Sequence, residues 1–258
     1  MERLGAREEW MEFLVRGRAL AAAHQDLAAE VECVLQVAFL HQLRGNLAEA
    51  SELLEGALAK LATQEFPRLR SAVLNRAAFV AYLQGRYADA SALASTAQHA
   101  APRDAVVEIA QNEFIWGVLA QTHHEWLESK VHFLEALRLS EAHPFHNPRM
   151  IAWGLLNLGT AHRRLEEQAQ ALDCYVRAVE LLEQIGDRVH AAVARMNIGN
   201  LHLLAERPQV ALEWYQTAEP VFRQVRDEVR LALIYINMGI AWRDAGDYAR
   251  GGDPAGGD

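Results

Sequence analysis

Apolar residues recur at intervals of three and four along nearly the whole chain, as in Leu155 and Leu158 and, with His162 between, Leu165. That is the period of one face of a helix. No stretch sustains the alternation of apolar and polar positions that a half-buried strand requires. Short polar, glycine- or proline-bearing segments interrupt the helical pattern, at Arg44-Gly45-Asn46, Gln84-Gly85-Arg86, Glu206-Arg207-Pro208 and Ala245-Gly246-Asp247. They predict tight turns. Pro208 suits the first turn of a helix, where a missing N–H is harmless. Pro220 lies inside a predicted helix and is expected to kink or shorten it. The pattern predicts an all-α chain of about twelve amphipathic helices joined as antiparallel hairpins.

The hairpins repeat. NLGTAHRRL from Asn157, NIGNLHLLA from Asn197 and NMGIAWRDA from Asn237 align, with Gly159, Gly199 and Gly239 each 40 residues from the next. Ala171, Tyr175 and Ala178 follow the first glycine at offsets that Ala211, Tyr215 and Ala218 reproduce after the second. Gly186-Asp187 and Arg226-Asp227 close the two units. Earlier in the chain the same grid is filled by Gly117, Ser129, Phe133 and Ala136, then by Ala78, Ala90, Ala94 and Ala97, and first by Ala38, Ala50, Leu54 and Ala57. The loop around His143-Pro144 and Asn147-Pro148 absorbs two extra residues. Small residues at fixed offsets let paired helices approach closely, with an aromatic filling the space beside them. The reading is a single solenoid over 1–250, with repeats at about 27–65, 66–103, 104–146, 147–187 and 188–227. A half-repeat stands at each end, at 5–26 and 228–246, and a flexible glycine-rich tail covers 251–258.

Leu158-Gly159 with His162, Ala171, Tyr175 and Ala178 resembles the tetratricopeptide repeat. The 40-residue unit exceeds the usual length of about 34 residues. It is similar to the long repeats of kinesin light chains, spindle-orientation adaptors and the sensor domains of bacterial transcription activators. The resemblance implies a right-handed superhelix whose concave face is lined by the first helix of each hairpin. It departs from the pattern in the early units, where alanine replaces glycine.

Residues six and two before the glycine, and one and four after it, share one stripe of that first helix. In the last three units they are Trp153, Asn157, Thr160 and Arg163; Val193, Asn197, Asn200 and Leu203; and Leu233, Asn237, Ile240 and Arg243. The repeated asparagine can donate and accept, so Asn157, Asn197 and Asn237 could pair with the backbone of an extended peptide, as the resemblance implies. They could equally bond neighbouring helices and fix packing. The earlier units offer Glu32, Gln36, Phe39 and Gln42; Arg76, Phe79 and Tyr82; and Gln111, Ile115, Val118 and Gln121. That half is more aromatic and suits an amphipathic segment, unless its rings pack between hairpins.

Composition narrows the partner. The formal net charge of −9 argues against nucleic acid, whose phosphates require clustered cations. Lys60 and Lys130 are the only lysines. Cys33 and Cys174 stand several repeats apart, beyond disulfide reach, and read as free thiols of a reducing cytoplasm. No run of eighteen apolar residues suggests a membrane span, and no signal peptide opens the chain. His123-His124-Glu125 and His143 with His146 fall in predicted loops without metal-ligand spacing, so no metal or cofactor is expected. No phosphate loop, nucleophile elbow or catalytic triad ordering appears, which argues against an enzyme.

The last helix is predicted to present Tyr235, Met238 and Trp242 with no following helix to cover them. Leaving such side chains wet forfeits roughly 1.5–3 kcal/mol each. Self-association through this helix, or a longer protein that supplies the cap, would relieve it. The function expected is a cytoplasmic, non-enzymatic scaffold binding a protein or peptide in its groove. The alternative is a regulatory sensor of a signalling or transcription-control system that takes a small effector or signalling peptide.

Overall fold

The computed structural model describes residues 2–62, 64–142 and 147–246. Among them are twelve α-helices and no strand. They form two compact units, Met1–His123 and His124–Asp258. The first holds α1 (Glu2–Ala23), α2 (Leu27–Arg44), α3 (Leu47–Leu61), α4 (Pro67–Leu83), α5 (Tyr87–Ala100) and α6 (Val106–Thr122). The second holds α7 (Trp126–Ala142), α8 (Pro148–Arg164), α9 (Gln168–Gln184), α10 (Arg188–Leu204), α11 (Pro208–Val225) and α12 (Glu228–Asp244). Within each unit a helix packs only on its next one or two neighbours in sequence. That linear contact pattern is the architecture of an α-solenoid. The glycine-rich tail and the His143–His146 loop lie outside the described residues.

Turn chemistry explains the hairpins. Each turn after a first helix places one residue in the left-handed region: Gly45 and Gly85 at φ +80° and +76°, but His124, Glu166 and Glu206 at φ +62°, +62° and +55°. Asp26, Asp187 and Asp227 cap α2, α10 and α12, accepting the backbone N–H of Ala29, His190 and Arg230 at 3.0, 3.3 and 3.0 Å. Each satisfies a helix-end donor that has no partner within its helix. Pro208 opens α11 as expected. Pro220 does not shorten that helix, which runs on to Val225. Only one backbone hydrogen bond is forgone there, and burial of Val221 and Phe222 beyond it holds the last turn.

The repeating grid is the core. Ala38, Ala50, Leu54, Ala78, Ala90, Ala94 and Ala97 in the first unit are fully buried. So are Phe133, Ala171, Tyr175, Ala178, Ala211, Tyr215 and Ala218 in the second. The glycines show why. A Cβ at Gly159 would lie 2.6 Å from the Tyr175 ring, and one at Gly199 would lie 2.5 Å from the Tyr215 ring. Each tyrosine ring therefore occupies the space that a Cβ would need. Where alanine replaces glycine in the first unit, the aromatic position shrinks to Leu54 behind Ala38 and to Ala94 behind Ala78, in shared clusters. The departure from the repeat pattern is thus compensated within the same hairpin.

Polar groups join neighbouring helices of the first unit. The Ser71 hydroxyl donates to Ala97 O at 3.0 Å, and the Asn75 amide donates to Glu108 O at 2.7 Å. The Asn112 amide donates to Ala94 O and to Asn75 Oδ1, at 2.8 and 2.9 Å. Asn75 and Asn112 are buried, so these bonds remove unpaired donors from a dry core.

In urea denaturation, Gly159→Ala and Gly199→Ala should each lose about 1–3 kcal/mol, the range for overpacking. A Cβ at Gly239 meets nothing within 4 Å. Gly239→Ala should therefore be neutral or gain up to about 1 kcal/mol, the helix preference for alanine over glycine.

Candidate functional site

The first helices of the hairpins carry the candidate stripes: α2, α4 and α6 in one unit, α8, α10 and α12 in the other. In the second unit each buried tyrosine sends its hydroxyl to the residue just past the facing glycine. Tyr175 Oη meets Thr160 Oγ1 at 3.2 Å, and Tyr215 Oη donates to Asn200 Oδ1 at 2.8 Å. Burial raises the pKa of both phenols, opposed at Tyr175 by the Thr160 bond and the Arg163 charge, and at Tyr215 by Asn237. Both stay protonated donors at neutral pH.

Three asparagines at one repeat position occupy three different settings. Asn237 donates to Asn200 Oδ1 at 2.9 Å, linking α12 to α10. Asn157 donates to Trp153 O at 2.9 Å, one turn back on its own helix. Asn197 is half-buried and makes no side-chain hydrogen bond among the described residues. The residue in front explains the difference. Asn237 finds the acceptor Asn200 on the preceding first helix. The corresponding neighbour of Asn197 is Thr160, whose hydroxyl is already held by Leu156 O at 3.2 Å and by Tyr175. Packing thus claims Asn200 and Asn237, while the Asn197 amide remains open.

At the ends of this stripe, the Trp153 ring lies 5.1 Å from that of His190, whose Nδ1 is 2.9 Å from Asp187 Oδ1. The Trp153 indole N–H is buried without a partner among the described residues. Arg163 is half-buried beside Tyr175, and Arg243 donates to Asp244 at 2.9 Å.

In the first unit, Arg76 of α4 donates to Gln42 Oε1 of α2 at 3.1 Å and lies over the Phe39 ring at 5.0 Å. An aromatic row continues from it. Phe79 stacks on Tyr82 at 5.8 Å and meets the edge of Phe114 at 5.9 Å, and Tyr82 lies 5.9 Å from Tyr87. Gln111 is half-buried on α6. Ile115 and Val118, expected on the stripe, are instead buried. Phe114 and Tyr87 fall outside the stripe offsets, so sequence spacing did not single them out; only their ring contacts join them to the row.

The three residues expected to face outward on α12 are spent inside their unit. Met238 is buried, and Tyr235 and Trp242 pack on a cluster with Tyr215 and Phe222. The Tyr235 hydroxyl donates to Glu219 at 2.7 Å and accepts from Arg223 at 3.0 Å. The exposed apolar residues of α12 are Val229, Leu233 and Ile236. Both cysteines are free, and burial raises the Cys174 thiol to about 11. Among the described residues, no three metal-binding side chains converge, and no helix is long and apolar enough to cross a membrane.

Asn200 accepts from two partners, so Asn200→Ala should lose about 1–2 kcal/mol in urea denaturation. Asn197→Ala should change stability by less than about 0.5 kcal/mol, as for a surface side chain with no partner to lose.

Residues 150–224 match the family model of the tetratricopeptide repeat. No curated protein matches the chain. Among solved structures, the apo form of RapI is similar at 16% identity and a TM-score of 0.65, over 85% of this chain and 81% of that one. BtubC (BKLC) from P. vanneervenii shares 18% identity at a TM-score of 0.51, over 95% and 87% of the two chains. A signal transduction ATPase with a tetratricopeptide repeat sensor, from Pyrococcus horikoshii, shares 13% identity at a TM-score of 0.62. That match covers 93% of this chain and 38% of the other. At these identities the likeness is one of fold. The chain thus carries tetratricopeptide repeats over 150–224, and the same grid of buried small residues recurs in both units.

Proposed function

We propose that the chain is a non-enzymatic scaffold that takes a peptide or protein segment on the first-helix stripes of its hairpins. Repeats of this family serve as protein-interaction scaffolds, and that general role supports the reading. The observation that carries it is the division of labour along the stripe. Asn200 and Asn237 hold the hairpins, while the half-buried Asn197 amide is left with a donor and an acceptor for an incoming backbone. A partly buried amide with no protein partner is more useful to a ligand than to the fold. Two free thiols support a reducing, cytoplasmic setting.

The sensor reading draws support from the likeness in fold to a chain described as carrying a tetratricopeptide repeat sensor. It differs in expecting a small effector as the ligand. Both readings make the open stripe the binding surface, and neither needs chemistry on the ligand.

A random twelve-residue peptide library selected on the full chain should yield binders. Asn157→Ala/Asn197→Ala, which leaves the Asn200–Asn237 bond intact, should weaken them about tenfold or more, and Asn197→Ala alone should weaken them while the melting temperature holds, as for loss of ligand hydrogen bonds. A library that returns no binder, or binders indifferent to the double variant, would contradict the peptide reading.

A further inference from the structure

We propose that the chain associates head to tail, with α1 of one copy lying on α12 of another as the second helix of a hairpin. This contact uses the first and last helices and none of the stripe residues.

Helix α12 repeats the letters of a first helix but lacks the cover that the others have. Ala232, Ile236 and Gly239 stand four and three residues apart on one face. Forty residues earlier, Ala192, Met196 and Gly199 are buried, the first two in one cluster with Ala211, Tyr215 and Ala218 of α11. Eighty residues earlier, Ala152, Leu156 and Gly159 are buried too, with Tyr175 of α9 against Gly159. On α12, Ile236 is 59% exposed, against 9% for Met196 and 8% for Leu156. Ala232 is exposed, and a Cβ at Gly239 would meet nothing within 4 Å. The seat for a second helix is thus formed, and no described residue covers it. It is a different face from that of Tyr235 and Met238, which pack with residues of α11. The grid positions of a following second helix hold Gly251, Ala255 and Asp258, with Pro254 among them and no aromatic.

Helix α1 is the matching piece. Trp10, Leu14 and Gly17 stand 40 residues before Ala50, Leu54 and Ala57, so α1 takes the place of a second helix. The second helices α3, α5, α9 and α11 each pack between two first helices. Among the described residues, α1 packs on α2 alone. Trp10 and Phe13 are consequently exposed and Leu14 is half-buried, where Ala50, Leu54 and Ala57 are buried. Leu14 is smaller than the tyrosines that face Gly159 and Gly199. Trp10 stands where the other second helices have alanine or serine and makes up the volume, and cores tolerate exchanges that conserve volume. Each of the two helices therefore carries what the other lacks. Removing Trp10, Phe13 and Ile236 from water supplies the driving force. The two surfaces differ, so the contact is heterologous.

Sedimentation velocity of the full chain should show a mass that rises with concentration. Gly239→Leu fills the seat with a branched side chain, and Trp10→Glu/Phe13→Glu charges the surface that would enter it. Each variant should stay a monomer and melt where the dilute parent melts. Mixed in equal amounts, the two should form a one-to-one dimer, because each keeps the surface that the other has lost. Should the double variant fail to fold, Phe13→Glu alone, at a side chain 68% exposed, serves in its place.

A parent that stays monomeric at every concentration would overturn the proposal and leave the seat to another partner. A mixture that stays monomeric, or association that survives in Gly239→Leu, would overturn it as well. So would association kept in Trp10→Glu/Phe13→Glu and lost in Gly239→Leu, the signature of two α12 helices meeting each other.

Discussion

The structure depends on how closely two helices of a hairpin can approach. At Gly159 and Gly199 the backbone of the first helix is bare, and a tyrosine ring from the second helix occupies the space a methyl group would need. Tyr175 and Tyr215 are buried completely and still place their hydroxyls at the edge of the first-helix stripe. The contact therefore does two things. It sets the distance between helices, since interiors are packed too densely to absorb an extra methyl group freely. It also brings a phenol hydroxyl to Thr160 and to Asn200, the stripe residues that follow the two glycines.

From this contact the stripe inherits its chemistry. The residue after each glycine receives the tyrosine hydroxyl, and what stands there decides the fate of the next asparagine along. Asn200 has acceptor capacity for both Tyr215 and Asn237. Thr160 is satisfied by its own helix and by Tyr175. Identical letters at one repeat position thus become a strut at Asn237 and an open amide at Asn197. In the first unit the equivalent position is Arg76, and the same geometry sets a guanidinium against Phe39 and Gln42. A solenoid built by one packing rule can in this way carry different recognition chemistry from hairpin to hairpin.

Much of the fold was legible in the sequence because its signals are local and repeated. Helical period, turn glycines and the 40-residue step all act within one hairpin, and the buried grid in each unit follows them. The turns at His124 and Glu206 were predicted, but which residue takes the left-handed backbone there and at Glu166 was not, because none of the three is a glycine. The site was legible only as a stripe. Which asparagine is bonded depends on a residue 37 positions away, as with Asn237 and Asn200, and no spacing rule exposes that. The burial of Met238 and the bonds of Tyr235 likewise depend on α11, through Phe222, Glu219 and Arg223. Hydrophobic pattern alone placed those residues on an open face.

The most direct measurement of the central contact is a double-mutant cycle on Gly199 and Tyr215 by urea denaturation. If the ring against the bare backbone sets the hairpin, Gly199→Ala should be destabilising with Tyr215 present and harmless or stabilising in Tyr215→Ala. The coupling should then be about 1–3 kcal/mol. Losses that simply add would contradict the account.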